Sequence, residues 1–575
     1  MRRALRALAA IAAMAVAVAA QAADATADAI AREAGRVAGA DRPAGLASAR
    51  RQRLIEWYAA GANAPAWFTA QGASPAVAAA LAELGAADAR GLDPADYDVP
   101  RLAGEVAAAG APDRTAQAIA RADVALTAAM LDLLGDLREG RTQPRSVEPH
   151  WRGRGAEPTV GAGLREAVAA DRVAAMIDAA EPSFPLYGRL KRALARYRTL
   201  AQQTLPPLPA LPPRHPKIGP GEPYEGVAAL HDRLALLGDL PGDVARPADD
   251  RYSEALVAAV RRFQERHGLL ADGVLGRETL AQLDVPLQRR VDQIALSLER
   301  LRWLPDFPPG PLIAVNIPSF RLWAFTETRP PDRPALAMPV IVGRALRTET
   351  PVFIGDLLRV EFSPYWNVPP SILRNEVLPR LRRDPSYLDR EAMELVAAGS
   401  GGSGAAAAST TVDAAALAAL ESGALRVRQR PGARNALAGV KFVLPNTMDI
   451  YLHGTPGAAL FGPARRDFSH GCIRVADPAA LAGFVLRDQP EWTAQRIQTA
   501  MASGRSTTVK LRAAIPVVVF YTTAMVGADD RALFLPDVYG HDRKLEAALR
   551  TARAGAGPRR RRRRGHQRLA RPVSR

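Results

Sequence analysis

The chain holds one cysteine in 575 residues, Cys472, in the stretch Asp467-Phe468-Ser469-His470-Gly471-Cys472-Ile473-Arg474-Val475. A thiol attacks well only as thiolate, so a reactive cysteine needs a base or a cationic neighbour. Two histidines qualify. His470 lies two positions before the thiol, and His453 follows the strand-like run Met448-Asp449-Ile450-Tyr451-Leu452. Gly471 permits a tight turn whose successive backbone N–H groups can converge on one oxygen, as an oxyanion hole requires. A cysteine with a sequence-distant histidine is the arrangement of acyl transfer. Zinc competes for His453, His470 and Cys472. A structural zinc site, however, wants a fourth ligand and usually paired cysteines, and no H-E-x-x-H is present. A third reading is a core cysteine, since free cysteine is among the most buried residue types. Residue types alone leave the three open.

The surrounding runs "GPLIAVNIPSFRLWAFTET", "LAMPVIVGR", "LLRVEFSPYWNV", "GVKFVLP" and "MDIYLHG" are rich in β-branched and aromatic residues and broken by Gly, Pro and Asn. They predict strands of a β-rich domain. Between them, about 364–426, a helical piece and a Gly/Ser/Ala-rich stretch, "SGGSGAAAASTT", predict a lobe inserted in the sheet domain, of the kind that covers active sites.

Upstream the period changes to that of helices. "SPAVAAALAELGAADARG" and "RADVALTAAMLDLLGDLREG" place apolar residues at i, i+3 and i+4. Residues 23–205 predict an all-α scaffold. The proline-rich segment 206–223 predicts an extended spacer. Residues 224–286 predict a three-helix module in which Ser253 caps a helix with Leu256, Val260 and Phe263 on its apolar face, ending near Gly268. "RVDQIALSLERLRWLP" is a further amphipathic helix leading into the β-rich domain, 287–545.

The first residues, "MRRALRALAAIAAMAVAVAAQAADA", carry arginines before a short apolar run that ends in Ala20-Gln21-Ala22. This is the pattern of a secretory signal peptide over 1–22, removed after Ala22 and leaving no membrane span. Nine of the net +17 charges sit in the last seventeen residues, "RRRRRRGHQRLARPVSR". Residues 546–575 therefore predict a basic disordered tail, and no specific nucleic-acid site follows from the charge.

"IYLHGTPGAALFGPARRDFSHGCIRV" resembles the signature of the L,D-transpeptidases with a YkuD-type catalytic domain: a histidine, an interval of fourteen to seventeen residues, then Ser/Thr-His-Gly-Cys. Fifteen residues separate His453 from Ser469. "VRRFQERHGLLADGVLGRETLAQL" is similar to the peptidoglycan-binding domain of bacterial wall enzymes. "FSPYWNVPPSILRNEVLPRLRRDP", "RVRQRPGARNALAGVKFVLPN" and "AAIPVVVFYTTAMVGADDRALFLPDVYGHD" resemble the large periplasmic subtype, with scaffold, wall-binding module and capping lobe. The resemblance implies an α+β multidomain protein with Cys472 as nucleophile and His453 as general base and acid. It implies a His453 ring oriented by the Gly454 carbonyl. His470 and Ser469 support the turn, and Gly471 and Cys472 supply oxyanion N–H groups. Arg474 either pairs within the fold or meets a substrate carboxylate, and Tyr451 and Trp366 line the cleft. The implied reaction takes a peptidoglycan stem tetrapeptide through a Cys472 thioester, releases D-Ala and makes 3–3 crosslinks in the periplasm. It needs no cofactor or metal, and the thiol is a carbapenem target. Alternatives on the same fold are an L,D-carboxypeptidase, another wall-remodelling hydrolase and a non-catalytic wall-binding protein.

Overall fold

The computed structural model describes residues 2–39, 46–151, 161–214, 216–328, 333–398 and 409–556. It is the expected mixed multidomain arrangement: a helical N-terminal region, a small module and a β-rich domain.

Helix α1 (Arg2–Ala38) runs unbroken through Ala22. Among the described residues, its packing positions lie beyond that point. Ala29, Ile30 and Ala34 are buried against α2 (Ala116–Glu139), whereas Met14, Val16 and Val18 are exposed. Among the described residues no helix is long and apolar enough to cross a membrane. α2 starts where the Thr115 hydroxyl accepts the Ala118 N–H at 3.1 Å, which satisfies one of the donors a helix start leaves free. Its buried Asp123 and Thr127 are paid off by hydrogen bonds from Tyr58 and the Trp67 indole.

The proline-rich segment does not behave as a free spacer. Leu208 is buried in the module's core, its N–H donates to Asp284, and Pro206 and Pro209 carbonyls accept from Arg233 and Tyr224. Prolines leave many carbonyls and few N–H groups, and neighbouring side chains take them up. In the module, α4 (Glu254–Arg266) begins after Ser253, whose side chain makes no capping bond. α3 (Pro185–Ala201) and α5 (Leu287–Arg302) share an apolar core with the hairpin β13 (Ala524–Val526) and β14 (Ala532–Phe534). The module joins this seam through a buried ion pair. Arg266 Nε donates to Asp239 at 2.6 Å, and Arg266 also donates to the Ala532 carbonyl at 3.2 Å. Removing one member of such a pair strands a buried charge. Asp239→Ala is therefore expected to lower stability by about 3–5 kcal/mol in denaturant unfolding, whereas a surface carboxylate would cost under about 1 kcal/mol.

The β-rich domain closes on itself. Its strands are β1 (Leu312–Asn316), β2 (Arg321–Phe325), β3 (Leu336–Gly343), β4 (Phe353–Phe362), β8 (Val440–Val443), β9 (Leu452–His453), β10 (Asp467–Ser469), β11 (Ile473–Val475) and β12 (Thr507–Phe520). Pairing runs β3–β11–β9–β8–β4–β12–β1–β2 and back to β3, a barrel-like ring to which β10 adds at the end of β3, on Val342 and Gly343. β9 with β11 and β12 with β1 are parallel pairs. Closure leaves fewer exposed strand edges. Val340, Val360, Phe442, Leu452, Ile473 and Val517 fill its interior.

The inserted lobe leaves after β4 and builds its own sheet from β5 (Trp366–Asn367), β6 (Met393–Ala397) and β7 (Leu425–Gln429), in the order β6–β7–β5. Buried Asn435 donates to the carbonyls of Pro364 and Arg430, each at 3.0 Å, and so pins the lobe's two ends together. Most of the "SGGSGAAAASTT" stretch lies outside the described residues.

The tail begins later than expected. α6 (His541–Ala556) continues through residues assigned to a disordered segment from 546. The reason is amphipathicity: Leu545 is buried, Ala548 and Leu549 pack on the barrel core, and Glu546 pairs with Arg289 of α5. The polyarginine run lies outside the described residues.

Candidate active site

Register builds the site. In the β9–β11 pair Leu452 faces Ile473 and His453 faces Arg474. In β8–β9 Lys441 faces His453, and in β4–β8 Glu361 faces Lys441. Side chains alternate across a strand, so burying Leu452, Ile473 and Phe442 in the barrel sends the alternate residues to the other face. Tyr451, His453, Cys472, Arg474, Lys441 and Glu361 therefore share one face. Cross-strand neighbours there form the row Arg474, His453, Lys441, Glu361.

His453 Nδ1–H donates to the Gly454 carbonyl at 2.5 Å. A carbonyl only accepts, so the proton sits on Nδ1 and Nε2 carries the lone pair. The ring is 5 % exposed. Burial, reinforced by Arg474 and Lys441 on its two flanks, pushes its pKa down to about 3. Burial also pushes the Cys472 thiol up. The resting pair is thus thiol and neutral imidazole. The thiol donates to the Asp449 carbonyl at 3.4 Å, and among the described residues it has no hydrogen bond to His453.

The Tyr451 hydroxyl and backbone N–H approach the Cys472 sulfur, and the Trp366 side chain on the lobe strand β5 hydrogen-bonds the same hydroxyl. Lys441 Nζ lies 4.4 Å over the Tyr451 ring and 3.7 Å from Glu361. The expected cleft residues are thus brought to the thiol, Trp366 across the lobe boundary. Lys441 and Glu361 escaped the sequence reading. Their only signal is alternation along two strands whose register is set in three dimensions.

Gly471 has φ +116°, a region that side-chain-bearing residues rarely adopt, so glycine is required there. Its N–H donates to Ser469 Oγ at 3.1 Å, and Ser469 Oγ donates to the Cys472 carbonyl at 2.6 Å. The Gly471 N–H, expected as an oxyanion donor, is therefore occupied. The Cys472 N–H has no partner among the described residues. His470 pairs through Nε2 with Glu376 of the lobe at 2.6 Å. Both partners are about one-third exposed, so the pair is worth under about 1 kcal/mol. Glu376→Gln is therefore expected to shift stability by less than about 1 kcal/mol in denaturant unfolding.

The salt-bridge reading of Arg474 finds no carboxylate. Arg474 has no ion pair among the described residues, its Nε is buried without a hydrogen-bond partner, and burial and nearby Arg344 lower its pKa. No group of three or more His, Cys, Asp or Glu side chains among the described residues is arranged to hold a metal ion.

Three family models match the chain. "L,D-transpeptidase catalytic domain" (YkuD) covers residues 310–518, "Scaffold domain" residues 52–194 and "Putative peptidoglycan binding domain" residues 223–283. Residues 310–518 are an L,D-transpeptidase catalytic domain of the YkuD family. The Cys472 face lies inside this YkuD domain, and the helical region and module carry the other two matches. A Haemophilus influenzae protein named "Putative L,D-transpeptidase" is 33% identical over 286 residues, 49% of this chain and 55% of that protein. The match thus spans little more than half of that relative's length. Among solved structures, an L,D-transpeptidase from Xylanimonas cellulosilytica is 18% identical, covers 54% of this chain and 100% of its own, and has a TM-score of 0.17. A fused Zn-dependent amidase/peptidase/peptidoglycan-binding protein from Clostridium acetobutylicum is 12% identical, covers 53% and 99%, and has a TM-score of 0.16. Neither likeness bears on the site.

Proposed function

We propose that this chain is an exported L,D-transpeptidase that crosslinks peptidoglycan stems through a Cys472 thioester. The observation that carries the reading is the shared sheet face, on which Cys472, Tyr451, His453 and Arg474 meet within a YkuD domain.

The donor is a stem tetrapeptide ending in a diamino acid and D-Ala. His453 Nε2 takes the thiol proton as Cys472 Sγ bonds to the diamino-acid carbonyl carbon. The oxyanion is met by the Cys472 N–H. Collapse breaks the C–N bond to D-Ala, and the proton on His453 goes to the departing amine. The thioester is then attacked by the side-chain amine of a second stem. His453 takes a proton from that amine and passes it to the Cys472 sulfur as the C–S bond breaks, so the 3–3 crosslink leaves and the thiol and neutral imidazole are restored. Arg474 has no carboxylate of its own and suits a carboxylate of the donor. Such a partner would offset one of the two cations that depress His453, so donor binding would make the base stronger. The lobe limits water, which would otherwise collect the acyl group and give carboxypeptidase activity. Export by the leader ending at Ala22, action in the periplasm and acylation of Cys472 by carbapenems belong to the same reading.

The test is mass spectrometry of muropeptides incubated with the purified chain. Tetrapeptide monomers are expected to give 3–3 dimers with release of D-Ala. Shortened monomers alone would sink the transpeptidase reading in favour of hydrolysis.

A further inference from the structure

The loop 344–350, which joins β3 to β4, touches the catalytic turn through two threonine hydroxyls. Thr348 Oγ1 donates to the Ser469 carbonyl at 3.0 Å, and the Arg344 N–H donates to the same oxygen at 3.1 Å. Thr350, 0 % exposed, holds the next fixed carbonyl: its Oγ1 donates to the Gly471 oxygen at 2.7 Å. The direction of that bond is determined. Thr350 Oγ1 already accepts the Gly343 N–H at 2.8 Å, and a carbonyl cannot donate, so the hydroxyl proton points at Gly471.

The loop is itself anchored from the C-terminal extension. The Tyr539 hydroxyl accepts the Thr350 N–H at 3.2 Å and donates to the Gly343 carbonyl at 2.6 Å. The Tyr539 N–H in turn donates to the Tyr521 hydroxyl at 3.0 Å. Gly343 has no room for a side chain: a Cβ would lie 1.8 Å from the Thr348 carbonyl. Thr350 is therefore a fixed point, not a mobile hydroxyl.

The consequence falls on the next peptide plane. In a trans peptide the C=O of one residue and the N–H of the following one point in opposite directions. Clamping the Gly471 carbonyl thus aims the Cys472 N–H, the turn donor that stays free while Gly471 N–H is spent on Ser469. We propose that Thr350 is a positioning residue for acyl transfer: it holds the Gly471–Cys472 peptide so that the Cys472 N–H meets the developing oxyanion. The inference rests on the thioester reading above.

The test separates a step that develops an oxyanion from one that does not. Release of D-Ala from a disaccharide-tetrapeptide needs the donor, whereas alkylation of Cys472 by iodoacetamide does not. Thr350→Val in the full chain is expected to lower kcat for D-Ala release about 10- to 100-fold, with KM and the alkylation rate within about twofold of wild type. Thr350→Ser, which restores the hydroxyl, is expected to recover most of the rate. If the valine variant does not fold, Thr350→Ala against Thr350→Ser makes the same comparison. Wild-type kcat in the hydroxyl-less variant overturns the inference. So does a parallel loss of alkylation, or a serine variant as slow as the valine or alanine one. Cys472→Ala assayed alongside distinguishes the levels: if it still releases D-Ala, the thioester reading itself fails, whereas an inactive Cys472→Ala beside a fully active Thr350→Val removes only the role of Thr350.

Discussion

On the proposed thioester reading, Cys472→Ala is expected to lower D-Ala release and dimer formation by at least about 10⁴-fold, because that reading places the acyl intermediate on this sulfur. The chain has no second thiol to substitute for it. Its fold should be intact: the side chain lies on the cleft face, partly exposed, and donates a long hydrogen bond to the Asp449 carbonyl at 3.4 Å. Unchanged thermal unfolding with lost turnover is therefore the diagnostic pair. Intact-mass analysis adds an independent readout. Wild type incubated with a carbapenem should gain the mass of one drug molecule, and Cys472→Ala should gain none. Turnover of stem peptide by the alanine variant at the wild-type rate would place the chemistry elsewhere.

The second large effect concerns His453. His453→Gln is expected to lower kcat/KM by about 10²–10⁴, since the proton of a thiol pushed up by burial then has no acceptor. The pH profile follows from the burial of both groups, reinforced at His453 by Arg474 and Lys441. With the imidazole at about 3 and the thiol above its ordinary value, neither group titrates between pH 5 and 8 in the free protein. Iodoacetamide alkylation should rise steadily with pH from about 5 to 9 without the acidic plateau of a preformed thiolate–imidazolium pair. A plateau below pH 7 would refute the neutral pair. The stability consequence has a definite sign. His453 binds its proton near pH 6.5 when unfolded but only near 3 when folded, so the unfolded chain holds more protons between those values. Its contribution to stability is complete above about 6.5 and is lost as pH falls toward 3. His453→Gln should flatten that part of the acid unfolding curve.

Much of the site's local chemistry can be read from residue types and spacing. The Gly471 turn is legible because only glycine takes its φ readily. His453 and Cys472 are legible as candidates because a lone thiol with a sequence-distant histidine suits acyl transfer, with zinc and a core cysteine left open by residue types alone, and the helical scaffold because a 3.6-residue period survives without tertiary help. The amphipathic face of α6 is also written in the chain, where Leu545, Ala548 and Leu549 recur at helical spacing.

What the tertiary structure alone decided is which distant strands lie side by side, and in what register. The parallel β9–β11 pair puts Arg474 beside His453, and β8 and β4 add Lys441 and Glu361 to the row. A one-residue slip would send every one of these side chains into the barrel, so the register is fixed by which residues must be buried, not by any local preference. The same holds for Thr350 and Glu376, which meet the Cys472 turn across 121 and 94 residues of chain, and for Trp366, which meets Tyr451 across 85 (366 to 451). Short-range propensity carries no term for such contacts. They appear only when the ring closes and the lobe folds back over it.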